Sequence, residues 1–449
     1  MSLSRTIPDL IPARRSLALL TRDRLWRYPP LLLLATIAVY ALTLARARPI
    51  DTSLGAASGA SNAGTIYVEP DGRVVGHDFL AFFMAGDFVA RGRANELYDL
   101  AAQSTYQKSL MAGANPNWAG TCLYLNPPHY ALAVSWLSRL GYGGALVAWW
   151  LLSLAAFGAT AWIWKSWLPR ERFALVITLV ICSPPFFQAL AGGQNSLFSL
   201  LILSGAASLL LRGRDLSAGL VLSLLAFKFQ LLIVPLILLV WLRRLWTITG
   251  VVVGLLGTIL LSDVWLGDDV WPRYFAFASG LGELMQLSGF DVAKQHSWHG
   301  FFSLLLANRA PLVWIRILTG AASIATVMVA LRACRGGKRE NRASLAISLS
   351  AMILAALLVS PHLFHYDMLL AALPAVLLVR RESVHDSEAA EGALVPALLF
   401  VWLAIAPLTA SWLPLQLTPL IMFAWLFRVS SCGAGAPDAR PPAVAVRAV

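Results

Sequence analysis

The strongest constraint on this chain is its succession of long apolar runs, each closed by one or a few basic residues. A bilayer core is about 30 Å thick and a helix rises about 1.5 Å per residue, so a run of about 20 apolar residues predicts a spanning helix. By that rule candidate spans lie near residues 29–45, 143–164, 173–190, 195–211, 216–242, 247–263, 311–331, 343–359, 361–379, 393–409 and 412–428. Of the 449 residues, 58% are hydrophobic and 13% charged, against about a quarter charged in soluble domains. That balance excludes a water-soluble enzyme, a disordered chain and a secreted disulfide scaffold. The net charge of +12 does not indicate nucleic acid, because the basic residues stand in short clusters between apolar runs and form no continuous face. The predicted fold is an all-α polytopic membrane protein.

Orientation follows from loop charge. The clusters Lys165/Arg170/Arg172, Arg212/Arg214, Arg243/Arg244, Arg332/Arg335/Lys338/Arg339/Arg342 and Arg380/Arg381 should be cytoplasmic, with the Arg-rich N-terminus (Arg14, Arg15, Arg22, Arg24, Arg27). All of them fall on one side if residues 128–140 do not cross and the run 216–242 crosses twice, bending near Lys228. A lysine inside a bilayer needs a wet or paired site, and a bend there brings it to the outer surface. A single long tilted helix would instead put Arg243 and Arg244 outside and invert everything downstream. The first alternative gives about 12 helices with both ends inside. It divides the chain into a cytoplasmic segment 1–28, one membrane domain 29–430 with a first extracytoplasmic loop at 46–128, and a disordered, Pro/Ala-rich cytoplasmic tail at 431–449. The expected location is the cell (inner or plasma) membrane, as a multi-pass protein. Ala45-Arg46-Ala47 resembles a signal-peptidase site, but the long basic lead and the spans that follow favour an uncut anchor. Four cysteines show no CxxC pair, and only Cys122 falls in an outer loop, so no internal disulfide is expected there.

This topology gathers polar chemistry on one side: His77, His129, His296, His299, His362 and His365 all fall on or near the outer face. In the first loop, apolar residues at helical spacing after Asp78 (Phe79, Phe82, Phe83, Ala90) predict an amphipathic helix lying in the interface, with Asp87 on it. Asp78 opens that helix either as an N-cap or as a carboxylate available for chemistry. Tyr98 and Asp99 follow, then Tyr124 before Asn126-Pro127-Pro128, a rigid corner that starts the next helix. Gly193-Gln194-Asn195 places amides where the chain re-enters the bilayer, either to cap a helix or to bind a sugar hydroxyl or phosphate. His296 and His299, three apart, share a face if that segment is helical, but a metal site lacks a third ligand in the sequence, and neither metal nor cofactor is expected.

In order and spacing these residues resemble the polyprenol-phosphate-mannose-dependent glycosyltransferases of family 87. The likeness rests on Asp78-Phe79 with Ala85 and Gly92, Leu97-Tyr98-Asp99, Tyr124 with Pro127-Pro128, and the helix from Ala145 to Trp149. It continues through Gly193-Gln194-Asn195 with Leu200, Arg212, Ala218-Gly219, Lys228 with Gln230, Pro235 before Arg243-Arg244, and Ser360-Pro361 with Tyr366-Asp367. Phe229 stands where the family commonly has Pro after the Lys, and His362 and His365 fit the family pattern only loosely.

The resemblance implies a C-type glycosyltransferase fold with an extracytoplasmic active site. The donor is then a polyprenyl-phosphate sugar, and the acceptor a hydroxyl on a lipid or glycan; membrane lipids surround both and no nucleic acid is involved. Inverting transfer needs one carboxylate to take the acceptor proton, and the resemblance assigns that role to Asp78. The leaving phosphate needs charge stabilisation, for which the candidates are Lys228, His296, His299, His362 and His365, with Arg273 and Lys294 as further cations. Asp87, Tyr98, Tyr124, Gln194 and Asn195 are candidate substrate contacts. A multispanning transporter or lipid flippase is the competing reading, although the related halves common in carriers are absent from the sequence; a noncatalytic assembly subunit is a third.

Overall fold

Apolar runs of this length satisfy their backbone groups internally only as helices, and the computed structural model is helical almost throughout. It describes residues 22–51, 64–111, 122–287, 294–306, 309–335, 342–379, 396–406 and 415–434. Arg14, Arg15, the Ser/Gly stretch 53–63, Trp118, Lys338, Arg339, Arg380, Arg381 and the tail beyond Ala434 lie outside the described residues.

Helix α1 (Arg22–Ala45) leads into a small antiparallel hairpin, β1 (Arg48–Asp51) and β2 (Thr65–Val68), with Arg48 opposite Val68. Then follow α2 (Phe79–Ala90), α3 (Leu100–Met111), α4 (Pro128–Val134), α5 (Gly141–Lys165), α6 (Arg170–Ile181), α7 (Pro184–Ala191), α8 (Ser196–Leu211), α9 (Asp215–Ser223) and α10 (Gln230–Trp241). The chain continues with α11 (Leu245–Leu266), α12 (Val270–Leu287), α13 (Trp298–Leu305), α14 (Leu312–Ala333), α15 (Arg342–Val359), α16 (Ala372–Val379), α17 (Pro396–Ala406) and α18 (Thr418–Ala434). Among the described residues five helical runs are long and apolar enough to cross a bilayer, six with the bent pair below; the other apolar runs are shorter helices. α1, α11 and α14 are largely exposed along apolar faces, as lipid-facing helices are, whereas α15 is mostly buried and central.

Three features differ from the run-length reading or refine it. The span expected at 173–190 is two helices, α6 and α7, bent by 55°. Ser183 caps α7 by accepting from the Phe186 N–H, and Pro184-Pro185 at the first positions have no N–H to continue α6. α2 is not an interfacial amphipathic helix: every residue from Phe79 to Phe88 is buried. The helix is apolar on all faces, and a helix of that kind goes inside the protein. Finally, the run 216–242 reverses. Built Cβ atoms on Gly219 and Gly250 would fall 2.0 Å from the Thr247 carbonyl oxygen and 2.3 Å from that of Leu216, and one on Gly254 would strike Ser223 Oγ at 1.9 Å. Contacts therefore advance together along α9 and α11, which run parallel, so the chain between them turns in the 3-10 segment Leu224–Lys228 and returns as α10. Glycines let the two backbones touch, as in small-residue membrane interfaces.

Parallel packing also sorts the ends of the bundle. Trp149 donates its indole N–H to Gly193 O at 2.8 Å and Trp164 to Ser204 Oγ at 3.1 Å, so α5 and α8 run the same way. Arg244 lies 3.3 Å from Asp215, and Arg172 reaches the Val379 carbonyl at the end of α16. The 16 residues of α8, about 24 Å at 1.5 Å each, separate Ser196 at one end from Arg212 and Arg214 at the other.

Candidate active site

At the Ser196 end, Asp78 is fixed by its backbone and leaves its side chain uncommitted. The residue sits at the N-cap position of α2 but in helical geometry (φ −76°, ψ −28°), with no cap hydrogen bond from its carboxylate, which removes the capping alternative. The backbone N–H groups of Asp78 and Phe79 both donate to Gly192 O, at 3.1 and 3.2 Å. Gly193 has φ +71°, and a Cβ there would meet Phe79 Cβ at 2.6 Å, so only glycine allows this seat. Phe79, Tyr142 and Trp149 stack around it, and Tyr142 donates to the Val75 carbonyl at 2.8 Å. The Asp78 side chain is 24% exposed, its Oδ2 lies 3.5 Å from His77 Nε2, and it abuts Gly192. Two motifs read separately in the sequence, the first-loop Asp and the Gly192-Gly193 turn, thus form one structure.

The second group lies at the reversal. Lys228 is buried and ion-paired with Asp367; Ser196 Oγ donates to the same carboxylate oxygen at 2.6 Å and lies 3.2 Å from Lys228 Nζ. This triangle ties the start of α8, the turn Leu224–Lys228 and the 3-10 segment His365–Ala371 together. Asn126 joins it to the first loop by donating to the Phe227 carbonyl at 3.2 Å. The Lys228 ammonium also stands 5.7 Å from the centre of the Tyr366 ring, and both Asp78 and Asp367 are within electrostatic range of the Tyr366 hydroxyl.

A third group is a seam between two loops. Gln295 pairs with Phe364, and the His296 N–H donates to the Leu363 carbonyl at 2.7 Å, which sets the His296 and His365 rings 5.0 Å apart. His296 Nδ1 lies 2.7 Å from Thr418 Oγ1, which also accepts from the Trp402 indole and stands 2.9 Å from Gln416 Oε1. Burial, then the neighbouring His365, holds the His296 pKa well below the usual histidine value. Burial and the neighbouring His299 push His362 down to about 4. His365 contacts Gln188 of α7 at 2.9 Å and the Leu403 carbonyl at 2.8 Å. All four expected histidines therefore stand on one seam, yet among the described residues no three His, Cys, Asp or Glu side chains converge as metal ligands.

Of the remaining candidates Tyr98, Tyr124 and Asp87 are engaged by the protein, whereas the Asn195 side-chain oxygen is buried with no hydrogen-bond partner among the described residues. Tyr98 donates to the Asn126 carbonyl (3.0 Å), and Tyr124 donates to that of Pro127 (2.9 Å) within the corner expected at Tyr124–Pro128. Asp87 is buried, accepts from Tyr106 at 3.0 Å and pairs with Arg91 at 3.0 Å. Gln194 and Asn195 are buried, and Asn195 makes no side-chain cap. Arg273 pairs with Asp269 at 2.7 Å on the exposed side of α12. Sequence reasoning gave no role to Asp367 or Ser196. The signal was present, because a lone Asp in an apolar run needs a partner as much as a lone Lys does.

Fold and site together define an all-α membrane protein whose three candidate groups lie at the end of the bundle opposite the Arg212, Arg214 and Arg244 links. Residues 124–361, more than half of the chain, match the model of Glycosyltransferase family 87. The chain belongs to that family and is a membrane glycosyltransferase, acting on a donor and an acceptor. The match takes in Tyr124, Gln194, Asn195, Lys228, His296 and His299; Asp78, Asp87 and Tyr98 precede it, and His362 and His365 follow it. No curated protein and no solved structure matches the chain.

Proposed function

We propose that this glycosyltransferase moves a hexose, mannose by its resemblance, from a polyprenyl-phosphate donor to a hydroxyl of a lipid or glycan acceptor at the extracytoplasmic face of the cell membrane, with inversion. The observation that carries the reading is the Asp78 carboxylate, seated against Gly192 and Gly193 yet engaged, among the described residues, by no cap and by no Lys or Arg ion pair. The acceptor oxygen attacks the anomeric carbon while the bond from that carbon to the phosphate oxygen breaks. The electron pair leaves with the polyprenyl phosphate, and the acceptor proton passes to Asp78. Basic links at the far end of the bundle support an outward-facing site through the positive-inside rule.

The seam histidines serve as neutral hydrogen-bonding groups toward the sugar, with His365 as their support. Lys228 contributes by holding the reversal to Asp367. Asp87, Tyr98, Tyr124, Gln194 and Asn195 shape the site through the backbone they fix.

The test uses the full-length protein in lipid nanodiscs with radiolabelled polyprenyl-phosphate mannose and envelope lipids as acceptors. Asp78→Asn should lower transfer by about 100-fold or more while its melting temperature stays at the wild-type value. Wild-type transfer rates in that variant would remove the assigned base. Labelling from outside should reach Lys294→Cys and miss Arg214→Cys; the reverse would place the site in the cytoplasm.

A further inference from the structure

This inference rests on the polyprenyl-phosphate reading and names the group that receives the phosphate charge. A phosphodiester that leaves as a monoester gains negative charge, so its site needs a cation beside the reacting carbon. Lys228 does not supply one, because it is buried and paired with Asp367. The seam does not supply one either, since burial keeps His296 and His362 uncharged.

The hairpin beside Asp78 does. Arg73 lies within electrostatic range of Asp78, and its side chain is 59% exposed. Its backbone is held in a tight turn by Glu69 N–H to Arg73 O (2.7 Å) and Gly72 N–H to Glu69 O (2.9 Å), with Gly72 at φ +86°. Asp71 accepts from Arg73 Nε at 2.6 Å and lies 2.5 Å from Nη2, and Glu69 is 3.9 Å from Nη2. The carboxylates thus occupy one edge of the guanidinium, and the Nη1 edge makes no hydrogen bond among the described residues. The five N–H groups of arginine form a fork suited to phosphate oxygens. His77 continues the same rim, its side chain 48% exposed.

The rim also adjoins α1, whose apolar face is exposed. The Tyr40 hydroxyl of α1 lies within electrostatic range of Arg73 and Glu69 and is buried with no hydrogen-bond partner among the described residues. Its ring meets Phe187 of α7 edge-on at 5.3 Å. α1 itself is exposed along most of its apolar length. We propose that Arg73, with His77 beside it, receives the phosphate of the lipid-borne donor, whose chain lies along the exposed apolar face of α1 that ends at this hairpin.

The decisive experiment compares wild type with Arg73→Gln in nanodiscs, measuring direct binding of a long-chain polyprenyl monophosphate, the leaving product, together with donor kcat/KM. A charge-assisted contact of this kind is worth a factor of about ten to a hundred. Arg73→Gln should weaken product binding by at least about tenfold and lower donor kcat/KM similarly, with acceptor KM unmoved. Binding and kcat/KM within twofold of wild type would overturn the assignment. Asp71→Asn removes the competing carboxylate and keeps the guanidinium, so it should tighten product binding; a failure to tighten also overturns the assignment, and this arm stands even if Arg73→Gln does not fold. Inorganic phosphate at equal concentration should not compete; competition as strong as that of the lipid would make this a free-phosphate site and refute the lipid port. Because binding is read without turnover, these outcomes are separate from the Asp78→Asn test of the proposed function.

Discussion

Removing either member of the Lys228–Asp367 pair should harm the protein far more than removing both. Their side chains are 9% and 6% exposed, so Lys228→Met leaves a carboxylate in a low-dielectric site with the Ser196 hydroxyl as its remaining partner, and Asp367→Leu leaves an ammonium there. Breaking a buried pair from one side costs about 3–5 kcal/mol, whereas replacing both partners with apolar groups is often neutral or stabilising. At roughly 2.1 cal/mol/K of unfolding entropy per residue, a chain of 449 residues converts that loss into a fall of about 3–5 °C in melting temperature for each single variant. The double variant should melt within about 2 °C of wild type. Intrinsic tryptophan fluorescence of the detergent-solubilised protein reads this directly. Two results would refute the reasoning: single variants that melt like wild type, or a double variant whose loss equals both singles combined. Transfer activity adds a second readout. A lysine that only positions the reversal leaves substantial transfer in the stable double variant, whereas a lysine that grips phosphate does not.

Further outcomes follow from other contacts. Gly219→Val should drive α9 off α11 and lower the melting temperature by about 1–3 °C, on an overpacking cost of about 1–3 kcal/mol, while Gly257→Val, whose Cβ would meet nothing within 4 Å, should be silent in the same scan. Trp149→Phe removes the indole bond to Gly193 O, worth about 1 kcal/mol; it should slow transfer more than it lowers stability, because that turn seats Asp78. His362, with its pKa pushed from 6.5 to about 4, resists a proton that the unfolded chain accepts. Stability is therefore full above about pH 6.5 and is lost as pH falls from there toward about 4. His362→Gln should make the melting-temperature profile shallower across that window, and an unchanged slope would assign the acid sensitivity elsewhere.

The parts legible in the sequence are those set by the cost of charge in a bilayer. Arg212, Arg214 and Arg244 meet at one end because none of them crosses cheaply, and a lone Lys228 in an apolar run marks a reversal for the same reason. The corner at Tyr124 and Pro127 was legible because proline and its neighbours have few conformations. Run length, in contrast, hid the break at Ser183, although Ser-Pro-Pro is itself a helix-start signal. Periodicity misread α2 because Phe79, Phe82 and Phe83 fit an amphipathic stripe while Leu80, Ala81, Met84 and Ala85 on the other faces are equally apolar. The pairing of Lys228 with Asp367, 139 residues apart, and the seam joining Gln295 to Phe364 depend on how distant segments dock, which local pattern does not encode.

That docking also bears on which carboxylate can act as a base. Asp87 faces Arg91, Asp215 faces Arg244, and Asp367 faces Lys228, each with at least one further hydroxyl donating to it. To accept a proton, any of these must give up a charge-assisted contact worth about 1.5–3 kcal/mol, and for the buried Asp367 an unpaired ammonium would remain. Among the described residues the Asp78 carboxylate has one close polar contact, the His77 ring at 3.5 Å, and its backbone N–H is held by the Gly192 carbonyl. Rigid placement with an uncommitted side chain is what a general base requires. The same comparison predicts that Asp78→Asn, unlike Asp367→Asn, separates activity from stability: the first should lower transfer by about 100-fold or more at an unchanged melting temperature, and the second should lower both.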